Sequence, residues 1–170
     1  HWVTDLMKKG SKIICIDPRL SWFASRAKTW LQLRPGTDGA LAMGFLNVIL
    51  KEGLYDQEFV EKWTNSPFLL RSDTGKLLRA SDLADEGRPD DLLVWDTTGG
   101  KPAIWESARA RYSSADVKPA LTGMHQVDLE DGKTVSCRTV WDVFCERVNE
   151  YPVERVAEIT WLAEKDIVEA

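Results

Sequence analysis

The run Lys12–Ile16 (KIICI) constrains this chain more than any other feature. It is apolar and largely β-branched after its lysine, entered through Lys8, Lys9, Gly10 and Ser11 and closed by Asp17 and Pro18. A continuous apolar run between turn formers reads as a buried parallel strand, because a strand with one wet face would alternate apolar with polar residues. Ahead of it, Val3, Leu6 and Met7 share a helical face, the last turns of a helix. Helix, strand and then Asp-Pro is an α/β beginning.

Downstream, the spacing predicts a short helix over Trp22–Lys28 and a second strand through Trp30, Leu31 and Leu33, ended by Pro35. Pro35, Gly36, Thr37 and Asp38 then form a turn into a helix, with Thr37 or Asp38 expected to cap its free N–H groups. Leu41, Phe45, Val48 and Ile49 recur at helical spacing up to a stop at Gly53, and Asp56–Trp63 predicts another helix. The order βαβαα predicts an α/β fold with a Rossmann-like doubly wound parallel sheet.

From Pro67 the period changes. PFLLR and KLLRA flank Asp73, Thr74 and Gly75; LLVWD precedes TTGGKPAIW; MHQVDL and KTVSCRTV flank Glu130 to Gly132. Each pair reads as a hairpin around a Gly-bearing turn, and Ala84–Asp91 reads as an acidic surface loop. Trp141, Phe144, Cys145 and Val148 then restore helical spacing, Pro152 opens a further helix, and Ala163–Ala170 reads as a last one. The expected division is 1–65 as a nucleotide-binding α/β portion, 66–140 as a β-hairpin-rich insertion and 141–170 as C-terminal helices of the first domain.

Composition narrows the function. With 170 residues, 44% of them hydrophobic, the chain can bury a sizeable core, which excludes disorder. No stretch reaches the ~18 consecutive apolar residues of a membrane span. A net charge of −5 argues against nucleic acid as a partner. Cys15, Cys137 and Cys145 stand far apart with no CxxC pair, a set that suits buried thiols better than a disulfide framework or a metal site. His125 has no second histidine near it and reads as a strand-face residue. The eight tryptophans, scattered singly, read as core and interface anchors. The missing initiator Met, and a last helix that ends without a cap, are expected of a segment of a longer protein.

Chemistry concentrates at the two turns. Ligands of open α/β sheets lie beyond the carboxyl ends of the strands, where an acid can accept hydrogen bonds from ribose hydroxyls. Asp17 sits at such a place, and it is equally a common turn former. At the second turn, backbone N–H groups, a hydroxyl and the Asp38 carboxylate meet at a helix N-terminus. The carboxylate could accept two bonds from the N1–H and N2–H₂ donors of a guanine edge, or serve simply as a helix cap.

The stretch IDPRLSWFASRAKTWLQLRPGTDGALAMGFLNVILKEGLYDQEFVEKW resembles a segment of the molybdopterin enzymes of the dimethyl sulfoxide reductase family. There IDPR is followed by a helix, a strand and RPGTD with an apolar helix. EYPVERVAEITWLAEKDIVEA resembles a later family segment, with Trp161 where glycine is usual. Residues from about Ser66 to Val140 match less closely and look like the β-rich insertion of the branch that includes acetylene hydratase and reductive dehydroxylases.

The resemblance implies part of a molybdenum or tungsten bis(molybdopterin guanine dinucleotide) oxidoreductase or hydratase. This domain would bind the guanosine portion of the cofactor, with Asp17, Pro18, Arg19 and Ser21 along the ribose and phosphate and Gly36, Thr37 and Asp38 around the guanine. Leu20 and Ser21 depart from a Thr-rich family pattern. No catalytic residue or metal ligand is identified in this chain. The metal ligand and an iron-sulfur cluster are expected elsewhere in the parent enzyme, which would join this segment to its other domains and to an iron-sulfur electron-transfer subunit, in the cytoplasm or periplasm of a prokaryote. Two alternatives compete with that reading. A free-standing Rossmann-like nucleotide binder is disfavoured without GxGxxG or GxxxxGK[ST]. A pure interaction domain would make both turns structural.

Overall fold

The computed structural model describes residues 2–170; His1 lies outside the described residues. In chain order the elements are α1 (Trp2–Lys8), β1 (Ile14–Ile16), β2 (Thr29–Leu31), α2 (Asp38–Lys51), α3 (Gln57–Trp63), β3 (Leu69–Arg71), β4 (Leu92–Asp96), β5 (Lys101–Glu106), β6 (Arg111–Tyr112), β7 (Met124–Asp128), β8 (Thr134–Thr139), α4 (Val140–Asn149), α5 (Val153–Thr160) and α6 (Glu164–Glu169). They divide into two compact units, His1–Leu54 with Arg147–Ala170, and Tyr55–Glu146.

In the first unit β1 and β2 run parallel, with Ile14 opposite Thr29 and Ile16 opposite Leu31. The α/β class is present, but among the described residues the parallel sheet has only these two strands. The expected burial of β1 does not hold either: Ile14 and Ile16 are each 45% exposed, on an open apolar pocket that they line together with Phe45, Val48, Ile49 and Ile167 of α2 and α6. The helix expected over Trp22–Lys28 is one 3₁₀ turn at Ala24–Arg26. Side chains there compete for the main chain, Ser21 Oγ accepting from the Ala24 N–H and Ser25 Oγ donating to the Trp22 carbonyl. The Lys28 and Thr29 N–H groups then bond the Ile13 carbonyl and draw the chain into β2.

The core of this unit joins Leu31, Leu33 and Leu41 to Val153, Val156, Leu162 and Ile167. Helix α2 turns Leu41, Gly44 and Asn47 fully inward, while Phe45 and Val48 flank the core. Gly44 is what lets α2 approach α5. A Cβ built on it would lie 2.9 Å from Val156 Cγ1.

The second unit carries the predicted hairpins. Strands β4 and β5 pair antiparallel from Leu92 opposite Trp105 to Asp96 opposite Lys101, and β6 adds to β5. Strands β7 and β8 pair from Met124 opposite Arg138 to Asp128 opposite Thr134. The PFLLR segment departs from expectation: β3 pairs mainly with β8, and only a Leu70–Leu77 bridge joins it to the KLLRA run. Leu69, Leu78, Leu93, Val127, Val135 and Cys137 form the core. His125, on β7, is half-buried and stacks on Trp95 with ring centroids 4.4 Å apart. Of the cysteines only Cys137 is fully buried. The tryptophans are mostly not core anchors: Trp141 is buried, whereas Trp2, Trp22, Trp63 and Trp161 are exposed.

Candidate functional site

Parallel pairing puts the carboxyl ends of β1 and β2 on one side of the sheet; the first turn follows β1 directly, and the second starts at Pro35, beyond the end of β2 at Leu31. Immediately after β1, Asp17 folds its side chain back on the loop. Its Oδ1 accepts the Arg19 N–H at 2.9 Å. That bond, and a second one involving the Ser21 side chain, hold the Asp17 carboxyl below the usual carboxylate range, against a smaller opposing effect of partial burial. The loop is also tied to the second strand. Trp30 Nε1 donates to the Asp17 carbonyl at 2.8 Å, and Gln32 Nε2 donates to the Pro18 carbonyl at 3.2 Å. Asp17 is half-buried, whereas Pro18 and Arg19 are exposed. The Arg19 guanidinium meets no acceptor among the described residues.

The turn into α2 is built differently. Gly36 takes φ +82°, a conformation in which any side chain would be strained, with open space where a Cβ would project. Thr37 is the N-cap residue, yet neither it nor Asp38 caps the helix through its side chain. Thr37 Oγ1 instead donates to the Arg34 carbonyl at 2.6 Å. The N–H groups of Asp38, Gly39 and Ala40 therefore donate to no acceptor among the described residues, and the exposed Asp38 carboxylate stands at the first helical position beside them. Donors at a helix N-terminus aligned with its dipole suit an anionic or hydrogen-bond-accepting ligand.

Sequence reasoning grouped Asp17, Pro18, Arg19 and Ser21 at one turn and Gly36, Thr37 and Asp38 at the other. In the structure the first group follows β1 directly and the second lies beyond the end of β2 at Leu31, with no hydrogen bond between them among the described residues. The structure also adds residues that sequence reasoning passed over. Trp30, in β2, and Gln32, just past its end, fasten the first loop through hydrogen bonds to the Asp17 and Pro18 carbonyls. Arg34 holds Thr37 through its carbonyl, while its N–H bonds the Thr160 carbonyl at 2.8 Å and its guanidinium lies 5.0 Å from the centre of the Trp161 ring. Arg26 covers Trp22 in the same way at 4.3 Å. No group of three or more His, Cys, Asp or Glu capable of holding a metal occurs among the described residues, and no helix of the described residues is long and apolar enough to cross a membrane.

Comparison with known proteins places this architecture. The chain is 31% identical to the perchlorate reductase subunit alpha of Dechloromonas aromatica over 99% of its length and 21% of that protein's. It is 29% identical to the dopamine dehydroxylase of Eggerthella lenta over 96% of its length and 23% of that protein's. A 69-residue stretch, 37% of this chain and 10% of the relative, is 54% identical to the acetylene hydratase of Syntrophotalea acetylenica. Among solved structures, acetylene hydratase from Pelobacter acetylenicus superposes with a TM-score of 0.51 at 26% identity, covering 98% of this chain and 13% of that one. The chain thus spans about a fifth of the length of the first two relatives. The family model described as Molybdopterin oxidoreductase matches residues 2–141, and the chain belongs to that family of enzymes.

Proposed function

We propose that this chain is the part of a molybdopterin oxidoreductase that holds the guanosine end of a molybdopterin guanine dinucleotide. The observation that carries the reading is that two differently built turns each follow the carboxyl end of one strand of a parallel pair, the side on which α/β sheets take nucleotides. The residues fit such a group. Asp17, kept ionised by its loop, accepts hydrogen bonds from ribose hydroxyls. Arg19 and Ser21 offer donors to the adjoining phosphate, and Pro18 fixes the loop. Gly36 leaves room for a base to approach the main chain, Thr37 braces the turn through Arg34, and Asp38 accepts the two donors of the guanine edge beside the free N–H groups of α2.

When bound, the cofactor supplies the metal-centred chemistry; the residues here bind, orient and select the nucleotide. The same reading keeps a second dinucleotide, the molybdenum or tungsten ligand and an iron-sulfur cluster on other segments of the parent enzyme, with an iron-sulfur protein as electron partner. The 54% identity to acetylene hydratase over 69 residues, with the solved acetylene hydratase as a structural neighbour, supports the hydratase and dehydroxylase branch for the parent.

The test is guanosine diphosphate binding by calorimetry to the wild-type chain and to Asp38→Ala, with adenosine diphosphate as the contrast. The wild type is expected to prefer the guanine nucleotide and the variant to lose that preference. Asp38→Ala in the full-length protein should lower bound dinucleotide. An unchanged preference together with unchanged cofactor content refutes the guanine clasp.

A further inference from the structure

Trp161 is the least economical residue of the first unit. It closes α5 in the left-handed region at φ +65°, where glycine is at ease and a residue with a Cβ is strained. Burial does not compensate, because its side chain is 71% exposed. Strain of this kind persists where surrounding structure imposes it and where the residue has work to do. Here the surroundings are the nucleotide turn. The carbonyl of Thr160, next to Trp161 in the chain, accepts from the Arg34 N–H at 2.8 Å. The Arg34 carbonyl in turn takes the Thr37 hydroxyl at 2.6 Å. The Arg34 guanidinium then lies against the indole at 5.0 Å, fixing its orientation on one side and leaving the rest of the ring in solvent.

We infer that Trp161 is a stacking platform for the nucleotide base, its open face packing on a purine whose edge Asp38 reads. Three properties converge on that role. The indole is a large planar surface with little rotamer freedom, a guanidinium on its other side is part of the turn proposed to hold the base, and the geometry is maintained against a backbone preference for glycine. Base and indole attract through stacking that tolerates any purine. Trp161 therefore contributes affinity, whereas Asp38 contributes the choice of guanine. This inference rests on the guanosine-binding reading above.

The test compares guanosine and adenosine diphosphate binding to the wild-type chain, Trp161→Gly, Trp161→Phe and Asp38→Ala, together with thermal unfolding of each. Trp161→Gly should weaken both nucleotides by about 5- to 150-fold, the range for losing one aromatic stack. It should also raise the unfolding midpoint by about 2–4 °C as the left-handed strain is relieved. Trp161→Phe should retain most of the binding. Weaker binding with a raised midpoint separates a ligand contact from a purely structural one, which would move both in the same direction. Undiminished binding by Trp161→Gly, while Asp38→Ala loses its preference for guanine, overturns the platform and leaves the guanine clasp standing. Failure of the wild-type chain to bind either nucleotide overturns both.

Discussion

Val156 occupies the space that a side chain at position 44 would need: its Cγ1, Cγ2 and Cβ lie 2.9, 3.2 and 3.3 Å from an ideal Gly44 Cβ. Val156 is fully buried and β-branched, so it cannot swing aside.

Gly44→Ala is therefore expected to destabilise the first unit even though alanine is the better helix former. Overpacking costs about 1–3 kcal/mol, partly offset by about 0.5–1 kcal/mol of backbone entropy. The net loss should centre near about 1 kcal/mol, within about 0–2.5, and lower Tm by roughly 2–4 °C for each kcal/mol. Calorimetric unfolding of the variant checks it, and an unchanged or higher Tm would mean that α2 and α5 do not pack this closely. Gly44→Ala with Val156→Ala should recover part of the close approach.

Asp17 gives the first loop a pH dependence. Its folded-state carboxyl titrates below the ordinary value because it accepts the Arg19 N–H and bonds Ser21. A depressed acid stabilises the fold above its unfolded pKa and loses that contribution as pH falls through the folded value. The Tm difference between wild type and Asp17→Ala should be constant from pH 7 to about 5 and shrink steadily below about 4. A difference that grows towards acid would contradict the hydrogen-bonded loop.

Cys137 should be chemically silent. Burial pushes its thiol to about 11, and at pH 8 only roughly 0.1% is thiolate. Titrating the native chain with a thiol reagent should modify Cys15 and Cys145, which are only partly covered, before Cys137. Mass spectrometry of the modified peptides reads the order. Denaturant should release Cys137 in step with unfolding of the second unit, and labelling of Cys137 in the native chain would show that its sheet opens.

Local chemistry explains what was legible in the sequence. The hairpins β4–β5 and β7–β8 were readable because each is a short-range pairing around a Gly-bearing turn. The Asp17 and Asp38 turns were readable because Pro, Gly and Asp punctuate the chain there. The partners of β3 were not, since β8 lies far along the chain and no local signal distinguishes it from the nearer KLLRA run. The helix expected at Trp22–Lys28 failed because Ser21 and Ser25 compete for its main chain. Arg34 and Trp161 escaped notice as a pair because a cation over a ring, between residues remote in sequence, leaves no periodicity to detect. The apolar strand KIICI read as covered on both faces, a property of sheets larger than the two strands described here.

Asn47 and Val148 are in contact across 101 positions of sequence, so the core of the first unit is assembled from segments on either side of the second. Closing a loop of that length costs roughly 4 kcal/mol of chain entropy before any packing is gained. Within residues 55–146 the β4–β5 and β7–β8 hairpins close over short spans, whereas β3 meets β8 between Leu69 and Thr139, at a closure cost of similar size. The first unit therefore depends on a C-terminal segment remote in sequence from both turns. A cut near Pro152 should abolish the nucleotide binding proposed for this unit without touching either turn.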